Sequence, residues 1–368
     1  MNGQLDNKTP KIDKSALFSE MVFESMRRAF AKAKDTKPNK FSTMSFILAG
    51  QVVEMRVVGR DLAETIGSVF SHLQTNYTYS HSLRLVIELW DQRESGIPSR
   101  VVSTREDLYL HPLSIWARNG RYMVHQLQYS MMCFDRETGH TVGCTPSVQE
   151  LSLYERGRPL RVPLSIWHND QDIPVIHTGL VSKNGQGVLL AGLSGAGKST
   201  SAITCLCAGF SYLSDDLIGL QILPDGSCMG HSIYNSTFLE PSQLTHFPPL
   251  IPHALRSKYS YEDKLLVLLS QVFESKLERV STLKAVALPR IINSRNSGIR
   301  RASKGEALRV LAPSSLFGVP VSPGIRGFDK LAQLVERVPS YWLELGSDLR
   351  EIPGCVERLL EDSCRLRL

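Results

Sequence analysis

The spacing of hydrophobic residues changes several times along the chain, and each change predicts a different secondary-structure element. Two apolar runs, 46–48 and 52–58, flank Ala49-Gly50 and predict two strands around a tight turn. An apolar residue then recurs every three or four positions over 62–70, which predicts a helix. Further strand-like runs lie at 83–91, 122–127, 129–134 and 142–144. These patterns predict a small α+β domain that ends near residue 150.

The 42 residues before this domain are polar and rich in lysine. Within them, 21–33 shows helical spacing of apolar residues. Such a stretch fits either a helix that docks on another surface or a frayed N-terminal helix.

A second compact region follows residue 155. Apolar runs at 175–181 and 188–191 are joined by an Asn/Gly turn and predict a β-hairpin. A helix is predicted from Lys198 to about residue 208, and a strand at 217–222. We therefore divide the chain into a polar extension (1–42), an α+β recognition domain (43–155) and an α/β domain (156–368).

Composition narrows the class of protein. The 368 residues are 42% hydrophobic and 21% charged, as in ordinary soluble proteins, and the N-terminus lacks the apolar core of a secretory signal. Apolar runs such as 265–269 are far shorter than the roughly 20 residues that cross a bilayer. The net charge of +6 arises from scattered basic residues without interleaved aromatic side chains. We therefore expect a cytoplasmic protein with neither a membrane nor a nucleic-acid partner.

Residues 192–199, the glycine loop, read Gly-Leu-Ser-Gly-Ala-Gly-Lys-Ser between a predicted strand and a predicted helix. This pattern in this context is typical of a phosphate-binding loop. Glycines let backbone N–H groups surround phosphate oxygens, and the helix N-terminus adds its positive dipole end. Nucleotide binding is thus assigned to Gly192, Leu193, Ser194, Gly195, Ala196, Gly197, Lys198, Ser199 and Thr200.

Two flanking features favour a reaction over simple binding. Asp215 and Asp216 follow a short apolar run, a position where carboxylates beside a phosphate loop hold Mg²⁺ or deprotonate a nucleophile. Adjacent residues of a strand point to opposite faces, so we expect one of the two to face the nucleotide. His177 lies 15 residues before Gly192, as either a core or a functional histidine. A solvated Asp-Asp turn is the alternative interpretation for the aspartates.

The stretch from His177 to Leu220 resembles the catalytic core of HPr kinase/phosphorylase, which shares its fold with ATP-dependent phosphoenolpyruvate carboxykinase. In that family, a strand with a His-Gly-Val-Leu-Val pattern precedes a phosphate loop, a helix and a strand end that reads Ala-Asp-Asp or Ser-Asp-Asp. The resemblance covers about residues 160–320. It implies an α/β fold with a P-loop kinase core of this type behind a small α+β domain.

The resemblance also implies roles for individual residues. Lys198 would hold phosphates, Ser199 would bind Mg²⁺, Asp216 would be the general base towards an acceptor serine, and His177 would orient the site. Glu240 falls close to the family's second acidic metal residue.

The sequence also departs from the family. Its Leu-Glu-Ile-Arg-Gly and Pro-Gly-Arg-Asn signatures are absent, so HPr as substrate and the reverse phosphorylase activity are both in question. Three arginines in the later region, Arg290, Arg295 and Arg300, could stabilise the transferring phosphoryl group, and we favour Arg290.

The chain looks instead like the HPr-kinase-related serine kinases, some of which accompany clusters for ribosomal peptides such as lasso peptides. The expected function is an ATP- and Mg²⁺-dependent kinase acting on a serine hydroxyl of a peptide or protein. A free-serine kinase and a non-catalytic ATP-dependent binding protein are the alternatives. The resemblance further suggests a homo-oligomer.

Overall fold

The structure is a computed structural model that describes residues 14–76, 85–99, 113–116, 120–127, 130–257 and 263–365. Leu83 and Tyr129, where two of the predicted strands begin, lie outside the described residues. Within the described part, no helix is both long and apolar enough to cross a membrane.

The strands follow in chain order: β1 Phe41–Leu48, β2 Gln51–Val58, β3 Leu85–Asp91, β4 Leu113–Trp116, β5 Tyr122–Gln126, β6 Met131–Asp135, β7 His140–Thr145, β8 Val175–Lys183, β9 Gln186–Ala191, β10 Ser211–Ser214, β11 Leu217–Ile222, β12 Cys228–Ser232, β13 Ser236–Leu239, β14 Leu265–Leu268, β15 Val280–Ile291, β16 Gly298–Arg301 and β17 Ser340–Leu345. The α-helices are α1 Lys14–Thr36, α2 Arg60–Val69, α3 Gln92–Ser95, α4 Leu153–Gly157, α5 Arg161–Asp170, α6 Lys198–Cys207, α7 Pro241–Leu244, α8 Ser270–Phe273, α9 Lys304–Phe317, α10 Gly324–Arg337 and α11 Ile352–Arg365.

The chain forms two compact units. The first comprises residues 1–43, 54–62 and 84–150, and the second comprises residues 44–53, 63–83 and 151–368. The hairpin of β1 and β2 therefore contributes residues to both, because its turn end, 44–53, belongs to the second unit.

The first unit is built on strands that pair in the order β3-β7-β6-β5-β4, with β3 and β7 parallel. Helix α1 contributes one apolar face to its core, which includes Val22, Phe23, Met26, Phe30 and Ala33. The helical spacing seen at 21–33 thus marks a helix that is part of this core. Met21, one of the apolar residues in that stretch, is exposed.

The second unit contains a mixed sheet in which five strands form a closed circuit. Each of β8, β9, β15, β12 and β11 pairs with the next, and β11 pairs back with β8. Leu180 and Leu283 fill the interior, and Gly230 makes room for them, because a Cβ there would lie 2.4 Å from Leu180 Cδ2. A closed circuit leaves these strands without free edges, which favours a rigid scaffold.

Helices cover both faces of this sheet. Successive strand residues point to opposite faces, so Leu189 and Leu190 of β9 enter different cores. Leu190 packs in the core that includes residues of α6 and α11, whereas Leu189 packs in the core that includes residues of α9 and α10. The second unit is thus a layered α/β structure, in agreement with the predicted class.

The local predictions around the glycine loop are confirmed by the elements found. The hairpin of β8 and β9 turns at Asn184-Gly185, which both have positive φ (52° and 72°) as a type I′ turn requires. Helix α6 begins at Lys198 and ends at Cys207, shortly before Gly209. In the C-terminal region, α9 precedes α10, β17 and α11.

His168 of α5 is fully buried, and it makes the stability of the fold depend on pH. Burial and the nearby His231 lower the pKa of His168 to about 3. The unfolded chain takes up a proton below about pH 6.5, whereas the native imidazole does not, so stability is lost as the pH falls below that value. This residue alone should reduce the free energy of unfolding by about 2 kcal/mol between pH 6.5 and pH 5.

Urea denaturation of the wild type and of His168→Leu at pH 7.5 and pH 5.0 tests this expectation. The difference in unfolding free energy between the two pH values should shrink in His168→Leu. His246→Leu is the matched control, since His246 is exposed. An unchanged pH difference in His168→Leu would show that His168 is not the responsible group.

Candidate phosphate-binding and catalytic site

Strand β8 brings the residues predicted from the sequence together, where the ends of neighbouring strands meet. On one side it pairs with β9, where Thr178 lies opposite Ala191, the last residue before the glycine loop. On its other side it pairs with β11, where His177 lies opposite Leu217. Because Asp215 and Asp216 immediately precede Leu217, the two aspartates, His177 and the start of the glycine loop meet at the same edge.

The glycine loop leads from β9 directly into α6. Leu193, Ser194 and Gly195 are exposed, so the loop is open to solvent. Gly195 and Gly197 have φ values of +81° and +98°, a region that other residues rarely adopt. The first N–H groups of α6 have no partners within the helix. These features together form a backbone cradle for an anion at a helix N-terminus.

Lys198 is bound to the loop in this structure. Its Nζ donates hydrogen bonds to the carbonyl oxygens of Gly192 (2.7 Å) and Leu193 (3.1 Å), and the residue is only 7% exposed. Burial lowers the pKa of Lys198, and the charges of Asp216 and Asp215 partly oppose that effect. The hydrogen-bond partners of the ammonium group are neutral carbonyls, which a phosphate can replace.

Asp216 is held by two side chains from different elements. His177 Nε2 lies 2.9 Å from one carboxylate oxygen, and Arg158 lies 2.8 Å from the other. Burial alone would raise the pKa of Asp216, but the charge of Arg158 and the hydrogen bond from His177 outweigh burial and hold the pKa well below its usual range. The Asp216 side chain is 19% exposed, so a substrate can still reach the ionised carboxylate.

Asp215 contacts other groups besides Arg158, although the two aspartates lie between β10 and β11 and not within a strand, as the expected divergence had assumed. Its carboxylate accepts hydrogen bonds from the Tyr212 hydroxyl (3.0 Å) and the Thr237 hydroxyl (2.7 Å) in the interior. Arg158 also approaches it, at 3.5 Å. Asp215 would have to give up these contacts to bind a metal. In this structure the Asp215 carboxylate is engaged by these groups, and its role as a Mg²⁺ ligand stays a prediction.

The backbone around the aspartates departs from regular pairing. The register between β10 and β8 shifts between Tyr212 and Ser214, which is a β-bulge or a related irregularity. Ser214 Oγ then accepts the N–H groups of Asp216 and Leu217, both at 3.0 Å. Such irregularities redirect side chains near functional sites. Here the Ser214 hydroxyl keeps both N–H groups hydrogen-bonded, although the strand pairing is interrupted.

The residues around the loop fit Mg²⁺ bound mainly through substrate phosphates, since this ion commonly uses one or two protein oxygens together with phosphates and water. Ser199 lies in the first turn of α6 and is partly exposed. Glu240 is exposed at the start of α7, and Gln243 of that helix donates to Thr200 in α6 at 3.2 Å. Among the residues that the structure describes, no group of three or more His, Cys, Asp or Glu side chains forms a separate metal site.

Arg290 lies at the end of β15 but is engaged elsewhere. A Cβ on Gly192 would lie 3.9 Å from the carbonyl of Pro289, which places the end of β15 beside the glycine loop. The guanidinium of Arg290, however, forms an ion pair with Glu344 and stacks 4.8 Å from the ring centre of Trp342. Arg300 stacks on the same ring at 5.9 Å. Neither arginine is aimed at Asp216 by these contacts.

Sequence reasoning missed Arg158 and Arg161. Both lie where α4 meets α5, and three arginines in six residues shortly before the His177 strand were the available signal. The signal was not decisive, because only the packing of this segment brings Arg158 onto Asp216.

Comparisons with known proteins give little further information. No protein-family model and no curated protein matches the chain. One similar solved structure is titled "Structure of the Hpr(Ser) kinase/phosphatase from Coxiella burnetii". The sequences are 11% identical, the match covers 52% of this chain and 97% of that chain, and the TM-score is 0.28.

The two glycines with positive φ provide a test of the loop. An alanine at Gly197 would place its Cβ 2.4 Å from Leu345 Cδ1, whereas a Cβ at Gly195 meets nothing within 4 Å. Both substitutions should cost roughly 1–2 kcal/mol of backbone strain, and Gly197→Ala should cost about 1–3 kcal/mol more through overpacking.

Urea denaturation and titration with Mg·ADP of both variants measure these effects. Gly197→Ala should be the less stable variant and the weaker nucleotide binder. Equal stability and equal affinity of the two would contradict the observed packing of Leu345 on the loop.

Proposed function

We propose that the protein is an ATP- and Mg²⁺-dependent phosphotransferase that phosphorylates a serine hydroxyl of a peptide or protein. The observation that carries the proposal is the hydrogen-bonded pair of His177 and Asp216 at the edge of the sheet where the glycine loop begins. An ionised, accessible carboxylate beside the phosphate loop can act as a base, and a protein that only binds nucleotide has no need of a base.

The loop and Lys198 would bind the triphosphate. Lys198 would exchange the carbonyls of Gly192 and Leu193 for phosphate oxygens, which offer it charge-assisted hydrogen bonds. Mg²⁺, when bound to ATP and to Ser199, would neutralise part of the phosphate charge. Glu240 is a second candidate ligand because its helix contacts α6 through Gln243 and Thr200.

Asp216 would accept the proton of the acceptor hydroxyl. As that oxygen forms its bond to the γ-phosphorus, the bond from this phosphorus to the β,γ-bridging oxygen breaks and ADP leaves. The proton passes to the Asp216 carboxylate, so the products are a phosphate monoester, ADP and protonated Asp216. The transition state for such transfers is loose, so orientation of the hydroxyl matters more than a high pKa of the base.

His177 would fix the direction of this carboxylate. Its Nε2–H donates to Asp216, while its Nδ1 is buried without a hydrogen-bond partner among the described residues. The ring therefore has one strong interaction, and that interaction holds the base. The resemblance of the His177-to-Leu220 stretch to HPr kinase/phosphorylase supports the same assignment, and the related serine kinases of ribosomal peptide clusters are the group we favour.

The activity test uses γ-labelled ATP and Mg²⁺ with a serine-containing peptide, with free serine or with water alone. Label in the peptide supports the proposal, and label in free serine alone would move the function to a metabolite kinase. Tight ATP binding without any phosphorylated product would indicate the non-catalytic binding protein. Label recovered only as inorganic phosphate would exclude both kinase functions.

The variant Asp216→Asn tests the base. Because an amide cannot accept the proton, transfer should fall by about 10²–10⁴-fold, the usual contribution of general base catalysis. Mg·ATP affinity should change little, since the cradle is formed by the glycine loop. Steady-state turnover and nucleotide titration provide the two measurements.

Asp225→Asn is the matched control, because Asp225 lies in an exposed turn where it contacts Ser227. It should retain wild-type turnover. Wild-type turnover in Asp216→Asn would remove Asp216 from the role of base.

A further inference from the structure

Arg161 is a partly buried cation for which the described residues supply no ion-pair partner. At the start of α5, its guanidinium stacks 4.5 Å from the ring centre of Tyr154. Within the described part of the chain it forms no ion pair, and its Nε is buried without a hydrogen-bond partner. A buried donor without a partner costs free energy, so the Nε of Arg161 favours the binding of an acceptor at this position.

Arg161 lies beside the base of the proposed reaction. Arg158 stacks on the same Tyr154 ring at 5.8 Å and on Phe238 at 4.7 Å, while its guanidinium binds Asp216. The two arginines are thus neighbours around one aromatic ring. Burial lowers the pKa of Arg161 and the charge of Asp216 partly opposes that effect, which agrees with this proximity.

The backbone that carries the two arginines is firmly held. The Tyr234 hydroxyl donates to the carbonyl of Pro159 at 2.8 Å, and the Ser236 hydroxyl donates to the carbonyl of Gly157 at 2.5 Å. Tyr234 lies two residues before β13, and Ser236 is the first residue of that strand. Guanidinium groups fixed in this way lose little freedom when they bind, which favours binding of a rigid anion.

We propose that Arg161, together with Arg158, forms an anion site on the acceptor side of Asp216, and that this site binds the phosphate of a phosphomonoester. The location on the acceptor side rests on the proposed function. The planar fork of a guanidinium matches two phosphate oxygens, and the two arginines offset the charge that a phosphate would bring next to Asp216.

Lys198 would bind the phosphates of the nucleotide. The transferred phosphoryl group would therefore move from Lys198 towards Arg158 and Arg161. Arg161 is better placed for this role than Arg290, which is committed to Glu344 and Trp342.

The experiment is a calorimetric titration of the full chain with inorganic phosphate while saturating Mg·ADP occupies the glycine loop. The wild type should show one phosphate site under these conditions. Arg161→Gln should bind phosphate about 10- to 100-fold more weakly, as expected for loss of a charged hydrogen-bonding partner. Its affinity for Mg·ADP should be unchanged, which also shows that the variant is folded.

Arg301→Gln is the matched control, since Arg301 also stacks on a tyrosine, 4.9 Å from the ring centre of Tyr341. It should bind phosphate as the wild type does. Equal phosphate affinity in Arg161→Gln and the wild type would overturn the proposed site. A parallel loss of Mg·ADP affinity would overturn it too, because Arg161 would then act on the nucleotide side.

The titration does not depend on turnover, so it separates this proposal from the proposed function. Phosphate binding that requires Arg161 in a protein that transfers no label would support the anion site and contradict the kinase. Transfer to a serine peptide with no Arg161-dependent phosphate binding would support the kinase and contradict the site.

Discussion

Two adjacent carboxylates, Asp215 and Asp216, lie at a sheet edge beside a loop suited to phosphate, and their charges must be balanced before any anion can bind there. Arg158 contacts both of them, at 3.5 Å and 2.8 Å. Hydroxyl groups from Tyr212 and Thr237 complete the environment of Asp215, and His177 completes that of Asp216. The docking of the segment around Arg158 serves this balance, because it brings a donor to carboxylates that would otherwise repel each other.

The rigidity of the site comes from the strand pairing beneath it. Strand β8 is bonded on both sides, to β9 and to β10 and β11, and it belongs to the closed circuit of five strands. The glycine loop, His177 and the aspartates are therefore attached to the ends of strands that cannot shift independently. Sites supported by strands and helices hold their geometry more closely than sites on loops, and phosphoryl transfer depends mainly on such positioning.

Cationic side chains near the proposed site lie at two positions. Lys198 lies on the glycine loop, whereas Arg158 and Arg161 lie around Tyr154. The negative charge of Asp216 acts on Lys198. In the proposed reaction, this arrangement gives the phosphoryl group a cation on its departing side and another on its receiving side. Before the transfer, the carboxylate is ionised because the charge of Arg158 and the hydrogen bond from His177 stabilise it.

The sequence by itself determined the local elements and the chemistry of the loop. The Asn184-Gly185 turn, the glycines before Lys198 and the apolar runs of β8 and β9 depend on short-range backbone preferences, which can be recognised in neighbouring residues. The spacing of His177, Lys198 and Asp216 also indicated a shared site. Only the tertiary structure decided which cations surround Asp216: it brought Arg158 and Arg161 there and left Arg290 paired with Glu344. Such pairings depend on how α4, α5 and the strands pack across long separations in sequence, and no local pattern encodes that packing.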